Sequence, residues 1–272
     1  MKHKRKSMII RRFLSFFLIV LCIAMPIAVS SASDAAIGIV LLHGKGGTPK
    51  SPYLSGLVRD LGKEGFIVIT PEMPYSKDRE YDKSYEDTVS EIDKHVSELK
   101  RRGAKKIFVG GHSLGANVAL YYAAKTSVDG VLAIAPGHSP ELQGFQSKLE
   151  DSVERAKRLV SEGKGDKQGR FIDFNVGKTS TIRVTAKIYL SWFDPDGPAV
   201  MPKSAAAIKP GPALLWVIGT KDKMYERGQA YAFDKAPSNP NNKYLVVNSD
   251  HLNTPNDASG EIIKWLKAFK KE

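Results

Sequence analysis

Cysteine occurs once in these 272 residues, at Cys22. A chain so poor in thiol owes nothing to disulfides, thiolate nucleophiles or cysteine-bound zinc. There is no H-E-x-x-H pair and no credible cluster of carboxylates, so no metal is called for. The G-x-x-x-x-G-K-[ST] phosphate loop and the G-x-G-x-x-G dinucleotide fingerprint are both absent, and no cofactor is expected. Internal repeats and low-complexity tracts are missing as well. Basic residues are plentiful, but they are not interleaved with aromatics into a stripe, and runs such as "LKRRGAKK" at 99–106 read as solvated surface. Nucleic acid is therefore not an expected partner.

What is present begins with an asymmetry of charge. The formal charge is +12, and six of those positive charges (Lys2, Lys4, Arg5, Lys6, Arg11, Arg12) precede residue 13, leaving +6 on the rest. An apolar run follows from 13 to 29, broken by Ser15 and Pro26, and then the small residues "SSASDAA". A basic head, an apolar middle and a small-residue exit form the secretory signal pattern. Residues 1–32 are expected to be a signal peptide cleaved after Ala32, with Ser30 the next candidate and an uncleaved anchor the alternative. Large residues, "IVL", precede Cys22 where a lipoprotein signal needs small ones, so lipidation is not expected. The remaining 33–272 suit one domain with a full core, exported to the periplasm or the exterior. Its positive balance favours loose contact with an anionic envelope surface.

Along that domain, apolar runs alternate with helical patterns. Strands are expected at 37–42, 66–70, 107–110, 131–135, 213–218 and 244–247; they lack polar alternation, as parallel strands covered on both faces do. Amphipathic helices are expected at 53–61, at 84–99 with Ser84 as cap, directly after Ser113, and at about 258–269. The fold class is α/β: a mostly parallel sheet of about six strands flanked by helices. One stretch, about 140–212, breaks the rhythm. It opens with a helix near 141–160 capped by "SP" at 139–140, passes through a Gly- and Lys-rich turn, and continues as a hairpin or as another strand and helix. A structureless loop of that length is uncommon, so it is an insertion with its own packing.

The chemistry starts at "GHSLG", Gly111 to Gly115, between the strand "KIFVG" and the helical run "ANVALYYAAK". In G-x-S-x-G the turn is too tight for side chains beside the serine, and the serine is lifted to the sheet edge at the head of a helix. Ser113 needs a base held by an acid. "ALLWVIGTKD" offers Asp222 at the end of a strand, and "YLVVNSDHLNTP" offers His251 after the last one. The order Ser113, Asp222, His251 is that of the α/β-hydrolase architecture.

On these motifs the chain resembles the α/β-hydrolase superfamily over essentially all of 33–272. The resemblance implies that Ser113 is the nucleophile, His251 the base and then acid, and Asp222 the orienting carboxylate. It also places "HGKGG" at 43–47 as the oxyanion loop, with the backbone N–H groups of Lys45 and Leu114 facing the tetrahedral oxygen. The usual first two strands have no room before Ile37, and the insertion at 140–212 falls where many members build a cap.

Other residues compete for these roles. Asp194 and Asp196 in "WFDPDGP" and Asp250 beside His251 are rival carboxylates, but the first two read as a turn and the third as a loop residue. His138 is expected near the rim of the site, as a substrate contact, a cap-docking residue or a polar loop residue. His112 is expected to hydrogen-bond locally, His43 to hold the oxyanion loop, and His95 to lie on the surface. The function so implied is an exported serine hydrolase that cleaves a small or medium carboxylic ester through an acyl-enzyme. Amidase, peptidase, thioesterase and lipase activities share the machinery. A non-catalytic envelope binding protein on the same fold is the alternative from another class, and a haloperoxidase-like member using Trp192 and Trp216 is a third.

Overall fold

The structure, a computed structural model, describes residues 35–271. The leader, its cleavage sites and Cys22 lie outside the described residues. Among the described residues no helix is long and apolar enough to cross a membrane.

The chain runs β1 (Ile37–Leu42), α1 (Pro52–Lys63), β2 (Ile67–Ile69), α2 (Thr88–Arg101), β3 (Lys106–Ser113), α3 (Leu114–Lys125) and β4 (Gly130–Pro136). It continues through α4 (Gln143–Ser161), β5 (Gln168–Asn175), β6 (Lys178–Thr185), α5 (Ala186–Phe193) and α6 (Met201–Ala207). It closes with β7 (Ala213–Gly219), β8 (Lys243–Val247), α7 (Thr254–Asp257) and α8 (Ser259–Lys267). Six strands form one sheet in the order β2-β1-β3-β4-β7-β8, and every neighbouring pair is parallel. Each of the six expected strands is found in it.

Successive side chains of a strand point to opposite faces, and both faces here are covered. Val40, Leu42, Val109, Val131, Leu214 and Trp216 join one core with Ile92, Val96 and Leu99 of α2 and with α3. Ile39, Leu41, Phe108, Leu132, Leu215 and Val217 join another with Leu54, Leu57 and Leu61 of α1 and Ile262, Trp265 and Leu266 of α8. This double burial is why the strands read as unbroken apolar runs. Burial of that kind stabilises by roughly 25 cal/mol per Å² of apolar surface removed from water.

Residues 141–212 contain α4, the antiparallel hairpin β5–β6, α5 and α6, so the expected alternatives of hairpin and further helix both occur in succession. At the hairpin tip Val176 and Gly177 have φ of 46° and 80°, the left-handed pair that a tight two-residue turn requires. Glycine adopts it freely; Val176, β-branched and 70% exposed, does not.

Two helix starts differ from the expectation. α2 begins at Thr88, and Ser84 instead exchanges hydrogen bonds with Asp87: Ser84 N–H to Asp87 Oδ2 at 3.0 Å and Asp87 N–H to Ser84 Oγ at 3.2 Å. That closed side-chain turn takes up the hydroxyl one turn before the helix. α4 begins at Gln143 with no side-chain cap. Ser139 contributes its carbonyl to Leu142 N–H at 3.1 Å rather than its hydroxyl, which is buried without a partner.

Candidate active site

At the end of β3 the backbone is held where few side chains tolerate it. Ser113 has φ 56° and ψ −120°, left-handed for a non-glycine residue. Steric facts on either side explain the glycines. A Cβ on Gly111 would lie 2.5 Å from the Gly115 carbonyl carbon, and one on Gly115 would lie 2.5 Å from His43 O. Only hydrogen fits at both places, and the register between β3 and β4 shifts at His112/Ser113 as the strand turns out. The side chain of Ser113 is thereby presented at the head of α3.

The loop after β8 brings His251 to it. His251 Nε2 lies 3.0 Å from Ser113 Oγ, and His251 Nδ1 lies 2.6 Å from Asp222 Oδ2. The carboxylate fixes the tautomer: Nδ1–H donates to Asp222, which leaves the Nε2 lone pair for the serine hydroxyl. Asp222 is buried, and its other oxygen accepts from Met224 N–H at 2.8 Å. His112 steadies the assembly from behind by donating Nε2–H to the His251 carbonyl at 2.8 Å. Burial, and then the neighbouring His251, push the pKa of His112 down to about 4, so it stays a neutral donor at ordinary pH.

The loop 43–47 lies alongside. His43 donates Nδ1–H to Gly44 O at 2.8 Å and accepts Met73 N–H on Nε2 at 3.1 Å, and burial lowers its pKa. Gly46 N–H donates to Tyr75 O, and Gly47 N–H to Gly44 O. Lys45 N–H makes no hydrogen bond among the described residues. Leu114, the first residue of α3, also has a free N–H because the first turn of a helix lacks internal acceptors. The Lys45 side chain leaves the loop for the insertion. Its Nζ donates to Asp173 Oδ1 at 2.6 Å and to Phe174 O at 3.0 Å. Burial lowers the lysine pKa, opposed by the Asp173 charge.

A cavity of about 610 Å³ opens over Ser113 and His251, within the size range of small-molecule sites. Leu142, Phe145, Phe174 and Val176 from the insertion make one apolar wall; Lys221, Lys223, Met224 and Arg227, after β7, face it. His138 lines the cavity too, but not at the rim as expected: it is 9% exposed, with φ 65°. Rings of Phe145 and Phe193 enclose it, and its Nε2–H donates to Trp192 O of α5 at 2.7 Å. Burial, and then the Lys45 charge, hold its pKa well below the ordinary value. Its Nδ1, an acceptor in this tautomer, is buried with no partner.

Three features of the site are missing from the sequence reading. Gly137 is one: a Cβ there would stand 2.9 Å from Ser113 Oγ, so the missing side chain is the space beside the hydroxyl. Asn117, inside an apolar helix, is another; it donates to His138 O at 2.7 Å and Ala199 O at 2.8 Å and accepts from Tyr85 OH at 2.9 Å. A polar residue in a run of small apolar ones was the only hint. The third is Asp173, the partner of Lys45.

Other candidates fall elsewhere. Asp194 and Asp196 form a turn after α5, Asp196 N–H donating to Asp194 Oδ1 at 3.0 Å, and neither lines the cavity. Asp250 lines it but is engaged by the N–H groups of Leu252 and Asn253. Trp192 and Trp216 are core residues outside the cavity wall. His95 is half-buried on α2, between surface and core, because it adjoins the inward face carried by Ile92 and Val96. Among the described residues no group of three or more His, Cys, Asp or Glu side chains is arranged to hold a metal ion.

A family model described as the alpha/beta hydrolase family matches residues 39–263. Among solved structures, a monoacylglycerol lipase of Paleococcus ferrophilus is similar with 23% identity and a TM-score of 0.60, over 88% of this chain and 98% of that one. The metagenome-derived lipolytic enzymes LipS and LipT are represented at 14% identity and 0.60, over 88% and 95%. Est1E from Butyrivibrio proteoclasticus follows at 14% and 0.57, over 88% of each chain. At these identities the solved structures establish the fold alone. No curated protein matches the sequence.

Proposed function

The chain belongs to the alpha/beta hydrolase family and is a serine hydrolase, and from that premise we propose that it is an exported esterase for small to medium carboxylic esters. The observation that carries the reading is His251, which bridges Ser113 at 3.0 Å and Asp222 at 2.6 Å on the floor of the cavity.

In this reading Ser113 Oγ attacks the ester carbonyl while its proton passes to His251 Nε2. Asp222 keeps the ring oriented and stabilises the imidazolium. Lys45 N–H and Leu114 N–H receive the oxyanion, both unoccupied by other acceptors; such donors are worth about 100- to 1,000-fold each in related machinery. Breaking the C–O bond releases the alcohol, which takes the proton from His251, and leaves Ser113 acylated. Water then adds with His251 again as base, the proton returns to Ser113, and the acid departs. No cofactor enters these steps.

The apolar wall of Leu142, Phe145, Phe174 and Val176 favours an apolar acyl chain over an extended polar one. His138 lines the same cavity as Ser113 and is a substrate contact through the part of its ring that faces it, its Nδ1 being buried. Residues 1–32 act as a cleaved signal, and 140–212 form a cap-like insertion within the domain 33–272.

The test is labelling of the purified protein by a fluorophosphonate, with Ser113→Ala as control, followed by p-nitrophenyl esters of rising chain length. Labelling that vanishes in Ser113→Ala and turnover that declines beyond medium chains are expected. A folded wild type that is neither labelled nor active on any ester overturns the esterase reading and favours a binding protein. Amino-terminal sequencing of protein from the exported fraction should begin at Ser33.

A further inference from the structure

The two ends of Lys45 do unlike things. Its backbone N–H, in the proposed function, meets the oxyanion; its ammonium is buried in the insertion, with the lysine and Asp173 side chains 5% and 9% exposed. A lysine head group is rarely withdrawn from water to this degree unless it is fully paired. Here the pairing is built from all sides. Asp173 Oδ1 accepts at 2.6 Å and Phe174 O at 3.0 Å. The faces of Phe193 and Phe145 lie 5.1 and 5.4 Å from Nζ. The second oxygen of Asp173 accepts from Tyr81 OH at 3.3 Å.

The anchors of the loop 43–47 lie on either side of this residue and not on it. His43 is held by its ring, Gly46 by Tyr75 O and Gly47 by Gly44 O. Lys45 N–H has no hydrogen bond among the described residues, so the peptide at the tip is restrained through its own side chain. The far end of that restraint is on β5, directly before Phe174, Asn175 and Val176 of the cavity wall.

We propose that Asp173 is a positioning residue for hydrolysis: through the Lys45 ammonium it fixes the Lys45 N–H at the oxyanion position, so the site is complete only when the β5–β6 hairpin is docked. The proposal rests on the esterase reading and on Lys45 as oxyanion donor. An oxyanion donor acts only when preset at about 3 Å from the developing charge, so its displacement lowers the chemical step while ground-state binding in the apolar wall persists.

Asp173→Asn is expected to lower kcat about 100-fold with KM within about threefold, the loss of one oxyanion donor. Asp173→Glu, which keeps the carboxylate, is expected to recover part of kcat. The decisive variant is Lys45→Met with Asp173→Asn, which retains the N–H at residue 45 and leaves neither charge buried alone. Its Tm is expected to rise above that of Asp173→Asn while its kcat stays low. If kcat instead returns together with Tm, the ion pair serves folding only and the proposal is overturned. Should Asp173→Asn not fold, the double variant alone carries the test, since a wild-type kcat in it has the same meaning. The outcomes separate from those of the esterase reading: Ser113-dependent labelling with an unchanged kcat in Asp173→Asn refutes the positioning role alone, whereas absence of labelling in wild type removes the premise.

Discussion

The two walls of the cavity are built by different means. On the sheet side, position follows from local backbone constraint: Ser113 at φ 56°, and Gly111 and Gly115 where a Cβ would collide with backbone at 2.5 Å. On the insertion side, position follows from a few polar pins set in aromatic packing. His138 to Trp192 O, Asn117 to Ala199 O, Tyr85 N–H to Ser191 Oγ and Lys45 to Asp173 join residues 54 to 128 positions apart. A backbone constraint of the first kind involves only main-chain atoms, those of the elbow and of Leu42 and His43 beside it, and tolerates side-chain change elsewhere. A pin of the second kind works only when both partners and their apolar cover are in place, because a buried polar group that loses its partner is costly. The sheet side therefore holds Ser113 by its own backbone, whereas the insertion reaches the same site only through side-chain pairs such as Lys45 to Asp173.

Substitutions should separate the two walls, with the largest effect at the chemistry. Asp222→Asn preserves shape but loses the tautomer of His251; kcat is expected to fall about 10⁴-fold, measured on a short p-nitrophenyl ester. A loss below tenfold would mean that another carboxylate orients the ring.

Stability against pH probes the sheet side next. His112 is held near a pKa of about 4 in the folded chain against an ordinary 6.5. The unfolded chain thus binds the extra proton first, and stability present above pH 6.5 is lost as pH falls from there to about 4. The expected loss is on the order of 3 kcal/mol, and His43 and His138 act in the same sense. Denaturant midpoints at pH 7 and pH 4.5 should show it, with a shallower slope for His112→Gln. An equal slope in that variant would exonerate the residue.

Gly137→Ala comes third. The new methyl stands 2.9 Å from Ser113 Oγ, which must leave His251 to relieve it; kcat/KM should fall about 100-fold while the melting temperature changes little. The smallest effect belongs to the apolar wall of the cavity. Phe145→Ala should lower kcat/KM several-fold for hexanoyl and longer esters but hardly for acetyl, since a few apolar contacts are worth about 1–3 kcal/mol. An equal loss across all chain lengths would place Phe145 in the packing of the wall rather than against the acyl chain.

Legibility follows the same division. The sheet was readable because its four central strands, β1, β3, β4 and β7, are buried on both faces and so announce themselves as apolar runs. The elbow was readable because the glycines that answer its steric requirement stand with the serine in five consecutive residues. Asp222 and His251 were found by their places after β7 and β8. Within the insertion, the helix α4 could be read from Leu149, Val153 and Ala156, which are buried on one face. Its cap could not, because Ser139 is drawn into the site rather than onto the helix.

By itself the sequence determined the parallel sheet, the serine at its edge and the order of the residues that meet there, since all are set by short-range periodicity and backbone sterics. Only the tertiary structure decided that the Lys45 ammonium turns from the oxyanion loop to Asp173, 128 residues away, that His138 is sealed into the wall, and that Gly137 leaves the space beside Ser113. Those outcomes depend on which distant side chains share one low-dielectric interior, where an ammonium, an imidazole or an amide must find its partner, and no local pattern of residues encodes that choice.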